Sequence, residues 1–204
     1  MRVLVACEFS SVVRDAFRAR GHDAVSCDLL PTERPGPHIQ GDVLPHLGDG
    51  WDLMIAHPPC TYLTCAGNKW FKPEFRSRFP GRERKRGEAM DFVRLLLAAP
   101  IPRVALENPV GAISGSIRKP DQIIQPWQFG HPVRKSTCLW LKGLPSLIPT
   151  EVVKPIIVTT RGGNTQSVWH VKTGQMPPEQ RKRERSRTFP GIAAAMAEQW
   201  GNLE

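Results

Sequence analysis

Residues 51–63 read WDLMIAHPPCTYL, an apolar run of strand length that stops at a Pro-Pro pair and leaves one cysteine, Cys60, just beyond it. Proline has no backbone donor, so a strand ends there, and Cys60 is expected on the tight loop past the sheet, where nucleophiles are commonly held. A cysteine after a strand is more often packed than reactive, so its company decides the matter.

Upstream, residues 3–7 (VLVAC) form a short β-rich run. In SSVVRDAFRARG, Val12, Val13, Ala16 and Phe17 recur at helical spacing and Gly21 marks the stop. DAVSCDLL is a second strand pattern ending at Asp28, which completes one βαβ unit. A Pro/Gly-rich connection, PTERPGPH, then leads through GDVL to the strand-like residues 52–56.

Downstream, residues 61–87 read as a long loop, 88–99 (EAMDFVRLLLAA) as a helix and 103–108 (RVALEN) as a buried strand. Strands alternating with helices predict an α/β, Rossmann-like parallel sheet whose functional residues collect at the strands' C-terminal ends. Asp28, Asp42, Cys60 and Glu107 all fall at such ends. Beyond residue 115 the pattern changes. STCLWLKGLP reads as a strand, 149–180 is punctuated by proline and glycine, and FPGIAAAMAEQW reads as a closing helix.

The 204 residues fit one α/β domain, and the net charge of +9 is concentrated in RSRFPGRERKRG (76–87) and RKRERSR (181–187). Runs of this density attract phosphates and give salt-sensitive binding, so a nucleic acid is the expected partner, against the plainer alternative of a solvated basic face. Five cysteines without regular spacing argue against a disulfide scaffold and for a reducing compartment. The strand-like start without a leader, and the lack of any apolar run near ~20 residues, lead to the expectation of a soluble, cytoplasmic protein with no membrane partner.

The ordered set of Asp28, Gly41-Asp42, Pro58-Pro59-Cys60 and Glu107-Asn108-Pro109 resembles the DNA cytosine-5 methyltransferases. In that family a Pro-Cys loop supplies the nucleophile and a Glu-Asn-Val motif supplies a carboxyl group to the base. Further matches are ACEFSSVVRDAFRARGHDAVSCD at the donor-binding turn, GDVL, and FGHPVRKSTCLWLKG (129–143), which looks like the family's Phe-Gly-Val-Pro-Gln-Arg-Arg segment. RTFPGIAAAMAEQWGN stands where the family's final helix closes the donor pocket.

The resemblance implies a Rossmann-like S-adenosylmethionine-dependent methyltransferase fold with a small irregular C-terminal insertion. Residues 1–143 would be the catalytic and donor-binding core, 144–188 a reduced target-recognition or DNA-contact region, and 189–204 a helix returning to the core. The acceptor would be cytosine in DNA, double-stranded and with the base flipped out, and no metal is implied.

It also implies roles. Cys60 would be the thiolate that adds to carbon 6, Glu107 a partly protonated carboxyl group meeting ring nitrogen N3, Asn108 the shaper of the turn, and Arg134 or Lys135 the contact to the base or backbone. The donor, S-adenosylmethionine or a modified form of it, would lie against Cys7, Glu8, Phe9, Ser10, Asp28, Leu29, Asp42, Val43 and Pro58. Asp28 would accept the ribose hydroxyls and Asp42 the adenine amino group. Nucleic acid would meet Arg76, Arg78, Arg82, Arg84, Lys85 and Arg86, together with Lys135, Arg181, Arg183 and Arg185. In the loop 61–87, Tyr62, Trp70, Phe71 and Phe75, interleaved among basic residues, suit the gap left by a flipped base, against the plainer alternative of a mobile solvated loop with a few aromatics packed on the core.

The chain also departs from the family. Its first turn, CEFSS, contains no glycine, the usual Gln-x-Arg-x-Arg segment is reduced to VRKST (133–137), and about 45 residues stand where a recognition domain is usual. These departures keep two other readings open. One is a catalytically weak nucleic-acid-binding relative. The other is the same mechanism on a free cytosine nucleotide or with a modified donor. A homodimer could enlarge the DNA-binding surface, though no sequence feature demands one. A zinc deaminase would need His-x-Glu and Pro-Cys-x-x-Cys, and a tyrosine-phosphatase-like loop Cys-x5-Arg, and neither pattern accompanies Cys60.

Overall fold

The computed structural model describes residues 1–160 and 162–203. Arg161, in the glycine-punctuated stretch, and Glu204, the last residue of the expected closing segment, lie outside the described residues. The elements run β1 (Arg2–Ala6), α1 (Val12–Arg18), β2 (Asp23–Asp28), β3 (His38–Gln40), β4 (Leu53–Ala56), α2 (Arg82–Leu97), β5 (Arg103–Pro109), α3 (Ile113–Ser116), β6 (Gln122–Ile124), β7 (Thr137–Lys142), β8 (Ile157–Thr159), β9 (Thr165–Ser167), α4 (Val168–Gly174), α5 (Pro178–Ser186) and α6 (Pro190–Gly201).

Seven strands form one sheet in the order β3-β2-β1-β4-β5-β7-β6. The first five are mutually parallel, and β7 runs antiparallel to both β5 and β6. This is a mixed α/β, Rossmann-like sheet, and the chain order reverses between β1 and β4. A crevice opens at such a reversal, beyond the strands' carboxyl ends, and there the molecule places Cys7 and the Pro58-Pro59-Cys60 loop.

Alternation along the central strands explains the layering. Val3 and Val5 of β1, with Leu53 and Ile55 of β4, pack with Val13 and Phe17 of α1 and Ile192, Met196 and Trp200 of α6. Leu4 and Ala6, with Met54 and Ala56, face the other side, where Met90, Val93 and Leu96 of α2 cover them. Both faces of β4 are thus buried, as expected for a central parallel strand written as an unbroken apolar run.

The first basic run is not all loop. Helix α2 begins at Arg82, six residues before the apolar periodicity starts at Glu88, after Gly81 in the left-handed region (φ 73°). The residues RERKRG are good helix formers apart from the glycine, and the Arg84–Glu88 ion pair adds i,i+4 support. The stretch 144–188, read as irregular, holds the β8-β9 hairpin and helices α4 and α5. No helix among the described residues is long and apolar enough to cross a membrane.

Candidate active site

Two non-glycine residues, Cys7 (φ 59°) and Ser11 (φ 66°), take left-handed backbone angles in the turn after β1. Each such residue costs on the order of 1–3 kcal/mol, and this strain does the work that glycine would do in the turn. Between them Glu8 turns inward. The Val13 and Arg14 backbone N–H groups donate to its two oxygens at 2.7 and 3.1 Å, and Ser10 Oγ donates to it at 3.3 Å. Glu8 therefore caps α1.

A cavity of about 420 Å³ opens beside this turn. Cys7, Asp28, Leu29, Asp42, Val43 and Pro58 line it together with Cys27, Tyr62 and Phe92. Glu8, Phe9 and Ser10, also expected at the donor, do not. Glu8 and Ser10 are engaged at the α1 cap, and the buried Phe9 ring lies under the Arg183 guanidinium at 5.3 Å. At the rim, Asp28 Oδ1 accepts from Leu30 N–H at 2.9 Å and Asp42 Oδ1 from Leu44 N–H at 3.0 Å. Burial raises the Asp28 carboxyl above its ordinary value, against its backbone hydrogen bonds and the nearby His38 and His57. Burial also pushes the Cys7 thiol far up, helped by the charge of Asp28, which leaves it a thiol.

Pro58, Pro59, Thr61 and Tyr62 carry the cavity wall to the Cys60 loop. The Cys60 carbonyl accepts from Leu63 N–H at 3.0 Å and Thr64 N–H at 2.9 Å, closing the loop into a tight turn. From the neighbouring strand, buried Asn108 donates through Nδ2 to the Pro58 carbonyl at 2.7 Å. Next to it, His57 Nδ1 meets Glu107 Oε2 at 3.1 Å. A carboxylate oxygen only accepts, so the imidazole proton sits on Nδ1. The resemblance gives His57 no role. Its place between a strand and Pro-Pro-Cys, level with a strand-ending glutamate, is the signal that could have found it.

Glu107 differs from expectation in its charge. Burial would raise its carboxyl, but the His57 hydrogen bond, the His57 charge and the Lys135 charge outweigh burial and hold it below the usual carboxylate range. It rests ionised rather than partly protonated. The half-buried Cys60 shifts the other way. Burial first, then the Glu107 charge, raises its thiol, against Lys135, its own backbone N–H and Lys182. The resting pair is a thiol beside a carboxylate.

Of the two cations this segment offered, Lys135 is the one that lies beside Glu107. Lys135 shares a small cleft with Glu107, donates to the Arg185 carbonyl at 2.9 Å and lies over the Trp169 and Phe189 rings at 5.8 and 5.6 Å. The Arg134 backbone N–H donates to Ser167 Oγ at 2.7 Å, and this residue lines a separate polar cleft with Gln125, Ser136, Gln166 and His170. Consecutive residues of an extended segment face opposite ways, so the two cations serve different clefts.

The basic runs are partly consumed internally. Arg82 lies over Tyr62 (5.1 Å) and Phe71 (4.8 Å) and donates to the Thr61 carbonyl, while Arg86 sits 3.4 Å from the Phe71 centroid and donates to the Tyr62 carbonyl and Asn68 Oδ1. These two guanidinium groups clamp the aromatic loop onto α2, each stacking contributing ~0.5–2 kcal/mol. Arg185 donates to Thr173 Oγ1 and the His170 carbonyl, Arg181 to the Gly174 carbonyl, and Arg183 pairs with Glu33 at 3.4 Å. Arg76 and Arg84 pair with Glu83 and Glu88. Arg78, over Phe79, and Lys85, near Tyr62, are exposed.

No known protein family profile matches the chain, and no curated protein matches it. Among solved structures, an Escherichia coli protein described as a "putative DNA modification methyltransferase" encoded within a prophage aligns at 17% identity with a TM-score of 0.43. The alignment covers 76% of this chain and 52% of that one, so the chain spans about half the length of that protein.

Proposed function

We propose that the protein transfers a methyl group from S-adenosylmethionine to carbon 5 of cytosine in DNA, through a covalent bond between Cys60 and carbon 6. The observation that carries this reading is the meeting of the Cys60 turn, buried Asn108 and ionised Glu107 at the ends of adjacent strands, beside an apolar cavity rimmed by Asp28 and Asp42. The cavity fits the donor, with apolar walls for a purine, Asp28 for the ribose hydroxyls and Asp42 for an exocyclic amino group.

When bound, S-adenosylmethionine supplies the electrophilic methyl group that carbon 5 takes. The residues of this chain prepare that carbon. Carbon 5 of cytosine is a weak nucleophile until a sulfur adds at carbon 6 and turns the ring into an enamine. Cys60 provides the sulfur, and its thiol must lose a proton as the bond forms. Glu107, once it has taken up a proton, donates to N3 and stabilises the charge developing there. Asn108 holds the Pro58 carbonyl and with it the position of Cys60. Lys135, beside both groups, favours their anionic forms. The exposed Arg78 and Lys85 face the phosphates of the DNA.

Mass spectrometry of nucleosides digested from DNA incubated with the protein and S-adenosylmethionine tests the reading. The expected product is 5-methylcytosine, formed by the wild-type chain and absent with Cys60→Ala. A Cys60→Ala variant that modifies DNA like the wild type overturns it. DNA left unmodified by a wild-type chain that binds the donor favours a binding-only protein.

A further inference from the structure

The steps above use Glu107 and leave its buried partner His57 without a role. The parallel register of β4 and β5 sets Ala56 opposite Leu106, and extending it by two residues sets His57 opposite Glu107 and Pro58 opposite Asn108. Pro58 and Pro59 have no N–H, so the backbone ladder cannot continue, and side chains replace it. Asn108 Nδ2 donates to the Pro58 carbonyl at 2.7 Å and His57 Nδ1 meets Glu107 Oε2 at 3.1 Å. The His57 and Glu107 side chains keep only 8% and 17% of their surface exposed. His57 Nε2 is buried and has no hydrogen-bond partner among the described residues, so Glu107 is the polar anchor of the ring. Leaving one nitrogen of a buried imidazole unsatisfied carries a desolvation cost, and a functional role for the other nitrogen's bond accounts for that cost being borne.

Resting on the Cys60 reading, we propose that His57 is a positioning residue for Glu107: its Nδ1–H fixes Oε2, leaving the other oxygen of the carboxylate to relay the proton of the Cys60 thiol to N3 of the bound cytosine.

The relay balances. As the Sγ–C6 bond forms the S–H bond breaks, and the proton passes to Glu107. Glu107 then gives a proton to N3. The C5=C6 electron pair moves to C4–C5 and the C4=N3 pair onto N3, so the adduct is a neutral enamine and Glu107 is again a carboxylate. No external base enters the addition. The resting charges suit this direction, since the nucleophile starts as a thiol and the relay group starts ionised.

The groups acting on Glu107 are His57 and Cys60 from the loop after β4, Lys135 from the loop before β7, Cys138 on β7, and Arg187, which lines the same cleft ahead of α6. Those acting with His57 are Glu107 on β5, Glu8 in the turn after β1 and Asp28 at the end of β2. Among these, His57 alone donates a hydrogen bond to the Glu107 carboxylate. Losing it lets burial raise the Glu107 carboxyl, so the acidic limb of the reaction, where Glu107 becomes protonated, moves to higher pH.

The test is the rate of covalent trapping on duplex DNA containing 5-fluorocytosine, measured against pH with S-adenosylmethionine, alongside calorimetric donor binding, for the wild type, His57→Ala and His57→Asn. Asparagine retains an N–H donor close to the position of Nδ1. His57→Ala is expected to slow trapping about 10–100-fold with donor affinity unchanged and to shift the acidic limb upward, and His57→Asn to recover most of both. His57→Ala with wild-type rate and limb overturns the proposal, as does a loss that His57→Asn leaves unrecovered while donor binding persists. Should both variants fail to fold, nitrogen NMR of wild-type His57 decides. A proton on Nδ1 supports the assignment, and a proton on Nε2 alone overturns it. A wild-type chain that never traps overturns the cysteine reading itself, a result distinct from trapping that is indifferent to His57.

Discussion

The two walls of the central crevice are built on different terms. On the side of β1 and β2 the wall is mostly carbon and sulfur, and its two carboxylates, Asp28 and Asp42, are each steadied by a backbone N–H two residues on. On the side of β4 and β5 polar groups are gripped across chain segments: Glu107 by His57, the Pro58 carbonyl by Asn108, Lys135 by the Arg185 carbonyl. The first wall selects by shape and tolerates local change. The second holds its groups by specific hydrogen bonds, so a single lost bond propagates through it.

The sharpest way to break this contrast is Asn108→Ala. It leaves the buried Pro58 carbonyl without a partner, and the expected result is a stability loss of about 1–3 kcal/mol in denaturant unfolding, with trapping on 5-fluorocytosine DNA slowed by roughly 100-fold. Unchanged trapping in a folded Asn108→Ala protein would make the two walls equivalent. Asp28→Ala sharpens the contrast from the other side. Loss of a charged acceptor is expected to weaken donor binding about 10–100-fold in calorimetry, while trapping at saturating donor stays near the wild-type rate. The smallest effect belongs to the rim. Arg78→Ala and Lys85→Ala should each lower the slope of log affinity against log salt by about 1, with no change in melting temperature, whereas Arg82→Ala should lower the melting temperature as well.

How much of this was legible in the sequence depended on what each residue had to do. β1, β2, β4, β5 and β7 are apolar runs buried on at least one face, and hydrophobic pattern alone marks them. β3 and β6 are three-residue strands at the sheet's two edges, HIQ and QII, too short and too polar to carry a period. The onset of α2 at Arg82 was hidden because its first two turns answer to charge and aromatic stacking rather than to burial.

The candidate site was legible at the level of strand ends, which topology dictates, and opaque at the level of side-chain partners. Nothing in CEFSS distinguishes a glutamate facing a ligand from one turned inward to cap the next helix. Nothing in VRKST tells which of two adjacent cations shares a cleft with Glu107. The ionised state of Glu107 depends on His57, fifty positions earlier in the chain, and only the register of two strands brings them together.

Arg14 has a consequence of another kind. Its fully buried guanidinium is paired with Asp15 and donates to Ser26 Oγ, Thr32 Oγ1 and the carbonyls of Arg34, Pro35 and Pro37. A cation shut away from water can be released only when all its acceptors leave together, because each partial step strands a bare charge. The proline-rich segment after β2 and the first helix are therefore fastened by one knot. They assemble or open as a single cooperative unit, held by an arginine that never reaches the surface.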